Sequence, residues 1–146
     1  MMKNYLVMLL TFVLIFAFAV TGFAAPDYIG AGDVGAGGWL TIVNPDKTYS
    51  TTYNNTYSVT GFCEDGATVY VYKSNGNGGY NRIYEYSQTV GASGCFVIPV
   101  KLVNGRNAFL FRAELGGSVK DGTFEINLLS SSMYNLVKNF KGGLFK

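Results

Sequence analysis

The stretch "VGASGCFVIPVKLVNGRNAFLFRA", Val90 to Ala113, decides the fold class. Phe96, Ile98, Val100 and Leu102 alternate along it, the period-2 pattern of a strand with one buried face. Asn104-Gly105 supplies a turn signal. Beyond it Phe109, Phe111 and Ala113 share a face, and Arg112 and Glu114 fall on the other. The spacing predicts two half-buried strands joined as a tight hairpin. Burying Phe96, Ile98, Leu102, Phe109 and Phe111 at about 1.5–3 kcal/mol each makes the pair the centre of a core.

Working outward, runs rich in Val, Tyr, Phe and Thr recur between Gly, Asn and Asp punctuation. Strands are expected near 39–44, 56–63, 67–73, 82–90, 95–102, 106–115 and 118–128. About seven short strands with little helix predict an all-β sandwich over residues 39–129. Upstream, "PDYIGAGDVGAGG" from Pro26 to Gly38 is so dense in glycine that ordering it is entropically costly, and residues 25–38 are expected to be a flexible leader.

The start of the chain bears on location. Lys3 precedes an apolar run from Tyr5 to Val20, and the small residues Gly22, Ala24 and Ala25 follow. A basic start, an apolar core and a small-residue exit predict a secretory signal peptide over residues 1–24, cut after Ala24. A retained membrane helix is the alternative, because the run is close to the ~20 residues that span a bilayer. With no cysteine at the end of the run, lipid attachment is not expected, and the processed chain is secreted or held non-covalently at the cell surface.

That chain, about 120 residues, is one domain with a single core. Losing Lys3 leaves ten Lys and Arg against nine Asp and Glu, a net charge of +1 that gives no electrostatic case for nucleic acid.

Gly61, then Gly66 and Val69, then Gly94-Cys95-Phe96, then Leu102, Gly105 and Asn107 follow the pattern G-x4-G-x2-V, G-x-F, L-x2-G-x-N. Over about residues 57–128 this resembles the bacterial immunoglobulin-like modules of surface proteins and secreted carbohydrate-active enzymes. The resemblance implies an immunoglobulin-like sandwich used as a spacer, stalk or adhesion module. In such a topology the second and fifth strands are antiparallel neighbours, which brings Cys63 and Cys95 to one edge. Two cysteines in an exported chain favour a disulfide between them. Strict alternation opposes it, because Cys95 points away from the Phe96 face and Cys63 shares parity with Val59; a bulge or twist would have to reconcile them.

Chemistry is sparse. The chain has no histidine, hence no histidine-dependent triad and none of the commonest zinc ligand. Glu64 and Asp65 adjoin a turn and read as solvated turn residues rather than a glycosidase pair. Glu85, Glu114 and Glu125 are scattered. No catalytic set, metal or cofactor is expected.

Tyr70, Tyr72, Tyr80, Tyr84 and Tyr86 crowd one hairpin whose tip is "SNGNGG". Flat amphipathic rings on a rigid sheet suit a cell-wall polysaccharide or a surface protein. The same rings also suit cross-strand structural pairing. Finally, Met133, Leu136, Val137 and Phe140 recur at helical spacing among Lys138 and Lys141, so residues 130–146 read as an amphipathic basic tail. Docking on the sandwich, fraying, or touching a membrane or polyanionic wall are the alternatives, and membrane contact is expected only through this tail.

The expected function is a non-catalytic envelope module acting in adhesion, scaffolding or binding. A carbohydrate-binding module with a tyrosine platform and a small hydrolase or inhibitor are the rivals.

Overall fold

The computed structural model describes residues 24–35 and 37–143. The expected signal peptide, up to its last residue, lies outside them, as does the choice between cleaved leader and retained helix.

Among the described residues nine strands form two sheets. In chain order they are β1 (Tyr28–Gly30), β2 (Thr41–Asn44), β3 (Tyr49–Thr52), β4 (Thr56–Phe62), β5 (Thr68–Ser74), β6 (Gly79–Thr89), β7 (Cys95–Lys101), β8 (Gly105–Leu115) and β9 (Ser118–Leu128). Helix α1 (Ser131–Gly143) follows. The large sheet runs β1-β6-β5-β8-β9-β3 and the small one β2-β4-β7. The chain is an all-β sandwich. Seven of the strands lie near the β-rich runs of the sequence; β1 and β3, of three and four residues, fall outside the expected ones.

The core fills the space between the sheets. Val59, Phe96, Ile98 and Val100 of the small sheet face Val69, Val71, Phe109, Phe111, Phe124 and Ile126 of the large one, all buried. Phe111 anchors an aromatic chain, its ring 6.2 Å from Phe96 and 5.2 Å from Phe124. Gly61 makes the Phe96 position available: a Cβ there would collide with the Phe96 ring and the Thr41 carbonyl.

β7 and β8 are not a hairpin. β7 pairs with β4 in the small sheet, and β8 pairs with β5 and β9 in the large one. Both strands point their apolar faces at the same core, and alternation cannot distinguish a hydrogen-bonded neighbour from a strand in the facing sheet. Asn107 holds the crossing between them. Fully buried, its amide donates to the carbonyls of Val103 (2.7 Å) and Gly105 (2.9 Å), and its Oδ1 accepts from the Val103 amide (2.9 Å) and Lys73 Nζ (3.2 Å).

The free edge of β7 is plugged. The Cys95 amide donates to Ser93 Oγ (3.3 Å), the Val97 amide to Gln88 Oε1 (3.0 Å) and the Lys101 amide to the Tyr86 hydroxyl (3.3 Å). Pro99, the remaining outward position, has no N–H. A strand edge treated in this way offers no ladder to a stray β-segment.

The glycine-rich segment is not a loose leader. Residues 24–35 form a strap that joins the large sheet's edge through β1 and then crosses its outer face. Arg82 Nη1 donates to the Ala25 carbonyl (3.0 Å), the Tyr72 hydroxyl to Pro26 (2.8 Å) and the Arg82 amide to Asp27 (2.9 Å). β1 pairs antiparallel with β6, Ile29 opposite Tyr80, and Ile29 is buried in a second apolar cluster with Tyr72 and Leu110. Further on, Arg112 Nη2 donates to the Asp33 carbonyl (3.0 Å), and the Gly35 amide donates to Asp121 Oδ2 (2.6 Å). Composition overstated the freedom of this segment because its backbone, rather than its side chains, is what the sheet holds.

Candidate functional site

The five tyrosines do not share one surface. Tyr72 is fully buried beneath the strap, and burial pushes its hydroxyl pKa up to about 12. Tyr86 is half-buried against the main core, with its hydroxyl spent on the β7 edge. Tyr80 is half-buried beside Ile29. Tyr70 is half-buried, its ring centre 4.4 Å from the Arg82 guanidinium carbon. Only Tyr84 stands out from the sheet, 64% exposed, with its ring 5.0 Å from the same guanidinium. A hydrogen bond to the Asp27 carboxylate raises the Tyr84 pKa.

Two features break the platform. The strap covers the Tyr72 side of the sheet. The register between β5 and β6 also shifts: Tyr70 pairs with Ser87, whereas Tyr72 pairs with Arg82, which leaves residues 83–86 as an irregular insertion. Equal parity along β6 therefore does not mean an equal face. Arg82, held between Tyr70 and Tyr84 and bonded to the strap, organises this corner, and tyrosine counting passed over it. Tyr28, exposed on β1, lies across Gly79 and adds a second solvent-facing ring at the same edge.

The cysteines are not joined. Cys63 is buried in the core, Cys95 is exposed on the outer face of the small sheet, and both thiols are free. Cys95 pairs with Phe62, and Cys63 comes next to Gly94, its amide donating to the Gly94 carbonyl (2.8 Å). No bulge turns one side chain toward the other. Burial, then the charge on Glu64, raises the Cys63 thiol pKa.

The outer face of the small sheet carries exposed apolar side chains. Phe62 (50% exposed), Val97 (56%) and Val43 project from it, with Cys95 beside them. Alternation contained this signal: Phe62 lies between inward Gly61 and Cys63, and Val97 between inward Phe96 and Ile98. On α1, Met133 and Leu136 are more than half exposed, and Tyr134 meets Tyr53 at 4.7 Å between ring centres. Among the described residues no helix is long and apolar enough to cross a membrane.

Arg112 and Asp121 form a buried bidentate pair, Nε to Oδ1 at 2.8 Å and Nη2 to Oδ2 at 2.7 Å. Glu64 and Asp65 are exposed in the turn before β5, where the Ala67 amide donates to the Glu64 carbonyl. Among the described residues no group of three or more His, Cys, Asp or Glu is placed to hold a metal ion. No protein-family model matches the chain, and a search of curated proteins finds no match.

Proposed function

We propose that the chain is an exported, non-catalytic immunoglobulin-like module of the bacterial cell envelope that acts in adhesion or scaffolding. Wiring supports the fold family: β2, β4 and β7 take the places of strands A, B and E, with β5, β8 and β9 as C, F and G opposite them. Greek-key connections of this kind serve many functions, so the functional reading rests on a surface and not on the wiring.

The observation that carries it is the exposed Phe62, Val97 and Val43 on a sheet whose β7 edge is plugged. Such a surface suits a surface protein that packs flat on the face and does not add a strand. The test is retention of the processed protein on isolated cell envelopes, compared with a Phe62→Ser/Val97→Ser variant. Loss of retention by a variant with unchanged circular dichroism supports the reading; equal retention sinks it. A second reading, polysaccharide binding, draws on Tyr84 and Tyr28 at the β1 and β6 edge. A glycan array on which wild type binds and Tyr84→Ala does not would favour it.

A further inference from the structure

Where the strap begins, the outer face of the large sheet holds a pocket of about 430 Å³ lined by Ala24, Pro26, Tyr70, Arg112, Glu114 and the turn from Leu115 to Val119. Arg112 is committed to Asp121. Among the described residues Glu114 is the one carboxylate lining this pocket, half-buried and in no salt bridge. The residue between lining Ala24 and Pro26 is itself buried: Ala25, whose carbonyl is fixed by Arg82 Nη1 and followed by a second fixed carbonyl at Pro26. The backbone is thus pinned from Ala25 onward, and the bond on its N-terminal side lies at the pocket.

We infer that this pocket is a receptor for a primary ammonium, the chain's own α-amino group at Ala25, with Glu114 as its counter-ion. The inference rests on the proposed export and cleavage after Ala24. Hydrolysis breaks the Ala24–Ala25 amide: the hydroxyl of water goes to the Ala24 carbonyl carbon, and the Ala25 nitrogen takes the remaining proton of that water and the proton shed by the new Ala24 carboxyl, becoming –NH3+. The cut also removes Ala24 from the pocket wall. The charges around the new ammonium are Arg82, which holds the Ala25 carbonyl, Arg112, paired with Asp121, and the carboxylates of Asp27 and Glu114, of which Glu114 lines the pocket. Glu114 is the anion that lines the pocket, in no salt bridge among the described residues, and burial raises its pKa in the unprocessed chain. An ammonium brought beside it favours the carboxylate, and the carboxylate favours the ammonium. Cleavage therefore completes the sandwich rather than merely trimming it.

Two chains, one beginning at Ala25 and one at Phe23, are released from a cleavable fusion, each with and without Glu114→Gln. In the chain from Ala25 the α-amino pKa, read by NMR on labelled Ala25, lies above its ordinary value of about 7.7–8.0 and falls with Glu114→Gln. Glu114→Gln also lowers Tm in that chain and leaves Tm unchanged in the chain from Phe23. An α-amino pKa that does not move, or equal Tm losses in both chains, overturns the proposal. The mass of the exported protein tests the underlying reading separately: an N-terminus other than Ala25 removes the cleavage, and with it the role of the pocket.

Discussion

Asp121→Ala tests the account of the strap most directly. Asp121 accepts two hydrogen bonds from Arg112 and one from the Gly35 amide, and its side chain is wholly inaccessible. Truncation leaves the Arg112 guanidinium buried with a neutral carbonyl, that of Asp33, as its acceptor. Breaking a buried pair from one side costs about 3–5 kcal/mol, because the surviving charge stays desolvated. That is a fifth or more of the roughly 5–15 kcal/mol that holds a domain folded. At a denaturant slope of about 1.5 kcal/mol/M the urea midpoint falls by about 2–3 M. Replacing both partners, as Arg112→Met/Asp121→Leu, removes the uncompensated charge and recovers most of that loss. Both variants take away the strap's Gly35 anchor, and the double variant its Asp33 anchor as well, so limited proteolysis cuts within residues 31–35 before the sandwich unfolds, most readily in the double variant. A single variant that costs under about 1 kcal/mol, with the strap still protected, refutes the reasoning.

Other outcomes follow from the same structure. Gly61→Ala forces a methyl into the Phe96 ring and the Thr41 carbonyl, and calorimetry should show about 1–3 kcal/mol of lost stability. Gln88→Ala frees the Val97 amide at the β7 edge; equilibrium unfolding changes by about 1 kcal/mol or less, while light scattering on storage rises. The Tyr72 pKa is raised from 10.0 to about 12 by burial, so the folded state keeps this proton longer than the unfolded state does. Its contribution is fully present below pH 10 and is lost as pH climbs from 10 toward 12; in ultraviolet titration Tyr72→Phe should remove the last tyrosinate to form. A thiol reagent should modify Cys95 in the native protein and Cys63 only on unfolding, and one blocked pair after aerobic purification would contradict the placement of the two side chains.

Side-chain parity made much of this molecule legible. The inward faces of β7 and β8 and the opposition of Cys95 to Cys63 follow, unlike the other strands, which rest on β-rich runs between turn residues, from a period of two. Pairing does not follow from it, since Leu102 and Phe109 would look the same whether β7 and β8 were neighbours in one sheet or faced each other across the core. The tyrosines misled for a related reason. Between Tyr70 and Tyr72 the register of the partner strand shifts by three residues, 83–86 standing opposite Val71 alone, and nothing in "RIYEYSQ" announces it. β3 was hidden because a parallel edge strand of four residues needs no apolar repeat. The strap escaped because glycine density measures the entropy cost of ordering and not the bonds that offset it.

That last point reaches beyond this fold. The sheet grips the strap at the carbonyls of Ala25, Pro26, Asp27 and Asp33 and the amide of Gly35, with Ile29 its one fully buried large side chain. Carbonyls and amides are common to every residue type, proline's missing N–H aside. Substitution can therefore run through most of these positions without loosening the grip, so long as an apolar residue keeps the place of Ile29. Descendants of this chain are free to drift here until their straps share no recognisable letters, while Arg82, Arg112 and Asp121, far downstream, carry the memory of the path.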